Sequence, residues 1–129
     1  MKRILVVEDD NSLSVLLRLI MKVQQEDWDV SSAATGVEAL SQVEKFKPDL
    51  ILLDIMMPEM DGLEVARRLR GDERYKDQKI VILSALSDPE TQKKAKEAGV
   101  LEYWTKPISP DELREGMLRV LGPDAVDLL

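Results

Sequence analysis

Residues 50–54 read Leu-Ile-Leu-Leu-Asp: four aliphatic residues with no polar alternation, stopped by a carboxylate. A run that short, apolar throughout and flanked by polar sequence, is the pattern of a strand buried on both faces of a parallel sheet. The shape recurs three times. Ile4-Leu5-Val6-Val7 runs into Glu8-Asp9-Asp10, Ile80 to Leu83 ends in Ser84, and Leu101 to Thr105 runs into Lys106-Pro107. Open parallel sheets bind ligands at the carboxyl ends of their strands. These termini would therefore bring acids, a hydroxyl and a lysine to one edge, where the acids suit a divalent cation and the lysine an anion.

Helical periods separate the runs. Asp10, Asn11 or Ser12 can cap a helix ending near Gln25, with Leu13, Leu16, Leu17, Ile20 and Val23 as its apolar face. Trp28 to Ala34, with two serines, reads as a weaker edge strand that Trp28 covers. Thr35-Gly36 opens a helix carrying Val37, Leu40, Val43 and Phe46, which Lys47-Pro48 stops. Asp61-Gly62 ends a loop and precedes a helix with Leu63, Ala66 and Leu69 that closes at Gly71, followed by a polar, loop-like stretch from Asp72 to Gln78. Asp88-Pro89 and Gly99 bound a helix facing inward through Ala95 and Ala98. Ser109-Pro110-Asp111-Glu112 predicts a capping box, with Leu113, Met117, Val120 and Leu121 inward and Gly122-Pro123 as the stop. Five strands alternating with five helices make a doubly wound α/β sheet covered on both faces.

Composition narrows the function. The 129 residues, 44% hydrophobic, suit one domain, expected over residues 1–122 with a short tail at 123–129. Eighteen basic against 25 acidic residues give a net charge of −7, which works against nucleic-acid binding by this segment. With no cysteine and no histidine, there is no thiolate or imidazole chemistry, and any metal must sit on oxygen. The apolar start is too short for a signal peptide or membrane span, so a soluble cytoplasmic protein with no membrane partner is expected.

Four segments carry a resemblance: Ile4 to Asp10, Pro48 to Gly62, Ile82 to Ala85 and Tyr103 to Pro107. Together, in this order and at strand ends, they resemble the receiver domain of two-component response regulators, similar to the chemotaxis regulators, over about residues 2–121. The resemblance implies a flavodoxin-like strand order of 2-1-3-4-5. It implies Asp54 as the phosphorylated residue, Glu8 and Asp9 as the acidic pair, Ser84 as a phosphate-side hydroxyl, Lys106 as the phosphate partner and Tyr103 as the switch aromatic. A cis Lys106-Pro107 peptide is implied as well.

The chemistry gives each residue a reason. Asp54 acts as a carboxylate nucleophile on the phosphohistidine of a partner, a histidine kinase or histidine phosphotransfer protein, since this chain has no histidine. Three crowded carboxylates repel one another, and Mg2+, a hard ion that takes oxygen ligands, relieves that repulsion. By the resemblance Asp9 and Asp54 are direct ligands, Glu8 acts through water, and Met56 contributes its backbone carbonyl. Lys106 and Ser84 stabilise the phosphoryl oxygens. Met56 and Leu86, two residues beyond Asp54 and Ser84, are apolar where a polar side chain would orient a hydrolytic water, so slow loss of phosphate is expected.

Other readings fit less well. An aspartyl phosphatase of the haloacid dehalogenase type expects an acid two residues after its nucleophile, where Met56 stands. A flavin binder on the same fold would meet repulsion from Glu8-Asp9-Asp10. A receiver-like interaction module independent of phosphorylation is the remaining alternative. The expectation is a phosphoacceptor signalling switch, catalytic only toward its own phosphorylation and dephosphorylation. Its output goes to a downstream protein target or a fused effector domain, with the 89–121 face as the candidate partner or homodimer surface.

Overall fold

The computed structural model describes residues 2–24 and 27–122; the expected tail at 123–129 lies outside them. In chain order the elements are β1 (Arg3–Val7), α1 (Asn11–Gln24), β2 (Asp29–Ala33), α2 (Gly36–Phe46), β3 (Leu50–Leu53), α3 (Gly62–Arg70), β4 (Lys79–Ser84), α4 (Pro89–Glu97), β5 (Glu102–Thr105) and α5 (Pro110–Leu121). All strand pairs are parallel and the order is β2-β1-β3-β4-β5. Successive strand residues face opposite ways, so each aliphatic run feeds two cores at once. Leu5, Val7, Ile51, Leu53, Ile80 and Ile82 join the core under α2, α3 and α4. Ile4, Val6, Leu50, Leu52, Val81 and Leu83 join the one under α1 and α5.

Short polar side chains start the helices, as their sequence positions suggested. Thr35, Asp61, Asp88 and Ser109 each accept a backbone N–H of the first turn, and Glu112 completes the capping box with Ser109. For α1 the cap is Asp10, whose Oδ1 accepts the Leu13 N–H at 3.2 Å.

Four local expectations are corrected. α1 buries Ser14, Leu17 and Met21, while Leu16 and Val23 stand exposed. Aliphatic residues cover so much of this helix that periodicity leaves its rotation open, and the sheet and α5 decide it. In α2, Val37 is exposed and Ala39 takes the buried place, since a smaller side chain lets the helix lie closer to the sheet. The stretch from Asp72 to Gln78 contains a 3-10 turn, Glu73–Tyr75, which Asp72 caps. Trp28 does not cover an edge: it is 2% exposed within the α1/α5 core. The largest apolar side chain here lowers the free energy most by going inside. No helix among the described residues is long and apolar enough to cross a membrane.

Candidate functional site

Strand register builds the site. β1 and β3 end side by side at Val7 and Leu53, and the Asp54 N–H donates to the Val7 carbonyl at 3.0 Å. The residue that follows each strand is an acid, so Glu8 and Asp54 become neighbours. Across the sheet Ser84 pairs with Thr105, and the Lys106 N–H donates to the Ser84 carbonyl at 2.9 Å, directing Lys106 back over the same edge. The Lys106-Pro107 peptide is cis.

Carboxylate oxygens of Glu8, Asp9 and Asp54 lie within 4.8 Å of one another. Lys106 Nζ donates to Glu8 Oε1 at 2.6 Å and to Asp54 Oδ2 at 3.2 Å. These side chains are shielded: Glu8 is 3% exposed, Asp54 5% and Lys106 20%. Glu8 Oε2 accepts the Asp10 N–H at 3.2 Å, and Asp54 Oδ1 accepts the Met56 N–H at 3.3 Å. Asp9 is exposed.

Burial raises the Glu8 pKa above the ordinary carboxylate range; hydrogen bonds from Lys106 and the Asp10 N–H oppose the rise, and the Asp54 charge adds to it. Burial by itself would lower the Lys106 pKa, but the hydrogen bond to Glu8 and the charges of Asp54 and Glu8 together raise it. Three acids share one ammonium. The excess negative charge favours a bound proton on either group. It also favours a cation, and because every donor is oxygen, the set matches a hard ion such as Mg2+.

Ser84 and Tyr103 form a second knot. Ser84 is 0% exposed, its Oγ accepting the Leu86 N–H at 3.2 Å. Tyr103 donates its hydroxyl to the Leu86 carbonyl at 2.6 Å. Burial raises its pKa, a hydrogen bond with Ser84 lowers it, and the charges of Asp88 and Asp54 raise it further. Among the described residues no side-chain hydrogen bond joins this knot to the carboxylates. Met56 turns its side chain outward, 54% exposed, leaving only backbone toward Asp54.

Two features escaped the sequence reading. Gly62 lies so close under Asp54 that a Cβ there would sit 2.1 Å from the Asp54 carbonyl oxygen, which excludes every other residue type. In the sequence the Asp61-Gly62 pair marks the end of a loop, the start of a helix and the close of the Pro48 to Gly62 segment, and none of these reveals this contact. Leu86 supplies both backbone groups of the Ser84–Tyr103 knot, and no side-chain chemistry signals that.

Comparison with known proteins agrees with this geometry. A family profile described as the response regulator receiver domain matches residues 4–117. The alkaline phosphatase synthesis transcriptional regulatory protein PhoP of Bacillus subtilis is 38% identical over 120 residues, covering 93% of this chain and 48% of that protein. The DNA-binding response regulator MtrA of Mycolicibacterium paratuberculosis is 39% identical over 112 residues, covering 87% of this chain and 48% of that protein. The chain thus spans about half the length of these relatives. Among solved structures, the chemotaxis protein CheY4 of Vibrio cholerae superposes with a TM-score of 0.85 at 31% identity, covering 93% of this chain and 98% of that one. The chain belongs to the response regulator receiver domain family, a family of signalling switches.

Proposed function

We propose that this chain, as a single receiver unit over residues 1–122, is a Mg2+-dependent phosphoacceptor switch in which Asp54 takes a phosphoryl group from the phosphohistidine of a histidine kinase or histidine phosphotransfer protein. The observation that carries this reading is Asp54, shielded at the carboxyl edge, hydrogen-bonded to Lys106 and flanked by Glu8 and Asp9. An Asp54 oxygen attacks phosphorus as the bond to the donor imidazole breaks. Mg2+, when bound, supplies positive charge to the acids and to a phosphoryl oxygen. Asp9 and Asp54 would hold it with the Met56 carbonyl, and Glu8 through water. Lys106 donates to the phosphoryl oxygens as charge builds on them, and Ser84 joins once its hydroxyl leaves the Leu86 N–H. The half-buried Tyr103 beside Ser84 supports its assignment as the switch aromatic, since any movement of Ser84 alters the space next to its ring.

We assign the output to the 89–121 face. A groove of about 470 Å³ between Lys93, Lys96, Val100, Leu101 and Tyr103 supports a protein target, a fused effector domain or a second copy there. The net charge of −7 supports keeping this segment itself off nucleic acid.

Intact-protein mass spectrometry after treatment with acetyl phosphate and Mg2+ tests the reading. One phosphoryl group is expected, lost in Asp54→Ala and in EDTA. Normal labelling of Asp54→Ala would remove Asp54 from the reading, and an unlabelled wild-type protein would leave the phosphorylation-independent module.

A further inference from the structure

Gly36 opens α2 with its backbone outside the left-handed region that favours glycine. Local conformation therefore does not call for glycine at this position; a close approach does. A Cβ on residue 36 would lie 2.8 Å from Met60 Cβ and 2.9 Å from Met60 Cγ and Sδ, where carbon atoms normally rest about 3.5–4.0 Å apart. Turning the Met60 side chain cannot relieve the first of these contacts, because Cβ is fixed to the backbone. Gly36 is thus a notch in the start of α2, and the loop between β3 and α3 plugs it with Met60. The same point of the loop carries strain. Glu59, the residue before Met60, has a φ of 67°, and a non-glycine residue stays in that region only when its surroundings hold it there. The support is firm: Thr35 Oγ1 accepts the Glu38 N–H at 3.1 Å, and Glu38 Oε2 accepts the Ala34 N–H at 3.3 Å.

A short path leads from this contact to Asp54. Two residues after Met60, the Gly62 N–H donates to the Ile55 carbonyl at 3.0 Å, and Ile55 follows Asp54 in the chain. The Met56 N–H in turn donates to Asp54 Oδ1 at 3.3 Å. We infer that Gly36 and Met60 are a positioning pair for phosphoryl transfer: α2 holds the loop through Met60, and the loop sets the Asp54 carboxylate and the Met56 backbone. Both residues act through the loop. This rests on the proposed phosphoacceptor reading. A side chain added at position 36 pushes the loop, and a shortened Met60 lets it drift, so the two changes disturb the same geometry from opposite directions.

The test is the rate of Asp54 labelling by acetyl phosphate in saturating Mg2+, followed by intact-protein mass spectrometry, with the urea midpoint of each variant measured beside it. Gly36→Ala should label about tenfold more slowly than the wild type, since a misplacement of about 1 Å at a distance from the chemistry can cost up to about a hundredfold. Met60→Ala adds no atom that could clash and should label about threefold more slowly. Combining Gly36→Ala with Met60→Gly removes all three crowding atoms and should return most of the rate lost in Gly36→Ala, a coupling that independent sites would not show. If Gly36→Ala does not fold, Met60→Ala decides. A lowered urea midpoint with wild-type labelling rates in the folded single variants would make the contact purely structural and overturn the positioning role, leaving the phosphoacceptor reading intact. A double variant no faster than Gly36→Ala would overturn it as well. An unlabelled wild-type protein would overturn the phosphoacceptor reading, and the positioning role with it.

Discussion

The two edges of the sheet each hold one shielded cation, and they use it in opposite ways. At the carboxyl edge Lys106 faces the carboxylates of Glu8 and Asp54. At the amino edge every hydrogen bond of Arg70 goes to neutral backbone, with the Asp77 charge acting on it only at longer range: its guanidinium makes four hydrogen bonds, to the carbonyls of Tyr75 (2.9 Å), Gln78 (2.5 Å) and Gly99 (2.8 and 3.3 Å). Gly99, at a φ of 84°, comes so near that a Cβ would lie 2.6 Å from Arg70 Nε. Arg70 thus ties the end of α3 to the segments that enter β4 and β5. Carbonyl dipoles cannot be titrated or displaced by an incoming ion, so this clasp is fixed. Carboxylates can be neutralised by a metal, a proton or a phosphoryl group, so the Lys106 contacts can change. The same kind of bond is fixed at one edge and open to change at the other.

Asp54→Ala breaks the carboxyl edge most completely. Labelling by acetyl phosphate should vanish, yet in metal-free buffer the urea midpoint should rise, because one of three mutually repelling acids is gone. A lowered midpoint would show that the Lys106–Asp54 contact outweighs that repulsion.

At the amino edge, Arg70→Ala should cost about 3 kcal/mol, because four hydrogen bonds from a charged donor are lost and the half-buried Gln78 carbonyl loses its Arg70 partner. Urea denaturation measures it, and Mg2+ should leave the loss unchanged. Recovery of stability with Mg2+ would mean that the two edges are coupled and the contrast fails.

The lining of the carboxyl edge should show a smaller effect. Met56→Asn with Leu86→Glu provides polar groups to orient water and is expected to speed phosphate loss roughly tenfold, about 1.4 kcal/mol of barrier. Met56 is exposed and accessible for this, whereas Leu86 packs against the core, so the Met56 substitution should carry most of the gain. Phosphate release from purified phosphorylated protein follows the rate.

The smallest effect belongs to a charge pair at neither edge. Glu102 Oε1 accepts from Arg119 Nη2 at 2.9 Å on the open flank of β5. The hydrogen bond to Arg119 lowers its pKa, burial opposes that, and the hydrogen bond from Trp104 and the Arg119 charge lower it further. A folded-state pKa below the unfolded one adds stability above the unfolded value and loses it as pH falls through the folded one. Glu102→Gln should therefore lower the urea midpoint slightly near about pH 7 and not at about pH 3. An equal loss at both values would assign the effect to packing around Trp104.

Much of the site was legible because strand ends announce themselves. An aliphatic run terminated by an acid or a lysine states both the element and the edge at which its charge emerges, so Glu8, Asp9, Asp54 and Lys106 were named in advance and are found together. Ser84 was named too, but its hydroxyl faces the Leu86 N–H in place of the carboxylates. A rotamer is chosen by neighbours, and sequence does not display them. The need for glycine at position 62 was likewise hidden, since it arises where one loop lies against another segment's backbone.

The order of elements, the helix caps and the alternation of strand residues between two cores were determined by the sequence itself. Each depends on backbone geometry within a few residues, where a period of two or a capping oxygen acts directly. Tertiary structure alone decided the rotation of α1, the inward place of Trp28, the Arg70 clasp and the choice of Glu8 as nearest partner of Lys106. Glu8 and Lys106 are 98 residues apart. No local pattern links them, and only packing of the whole sheet sets which of several nearby carboxylates the ammonium reaches first.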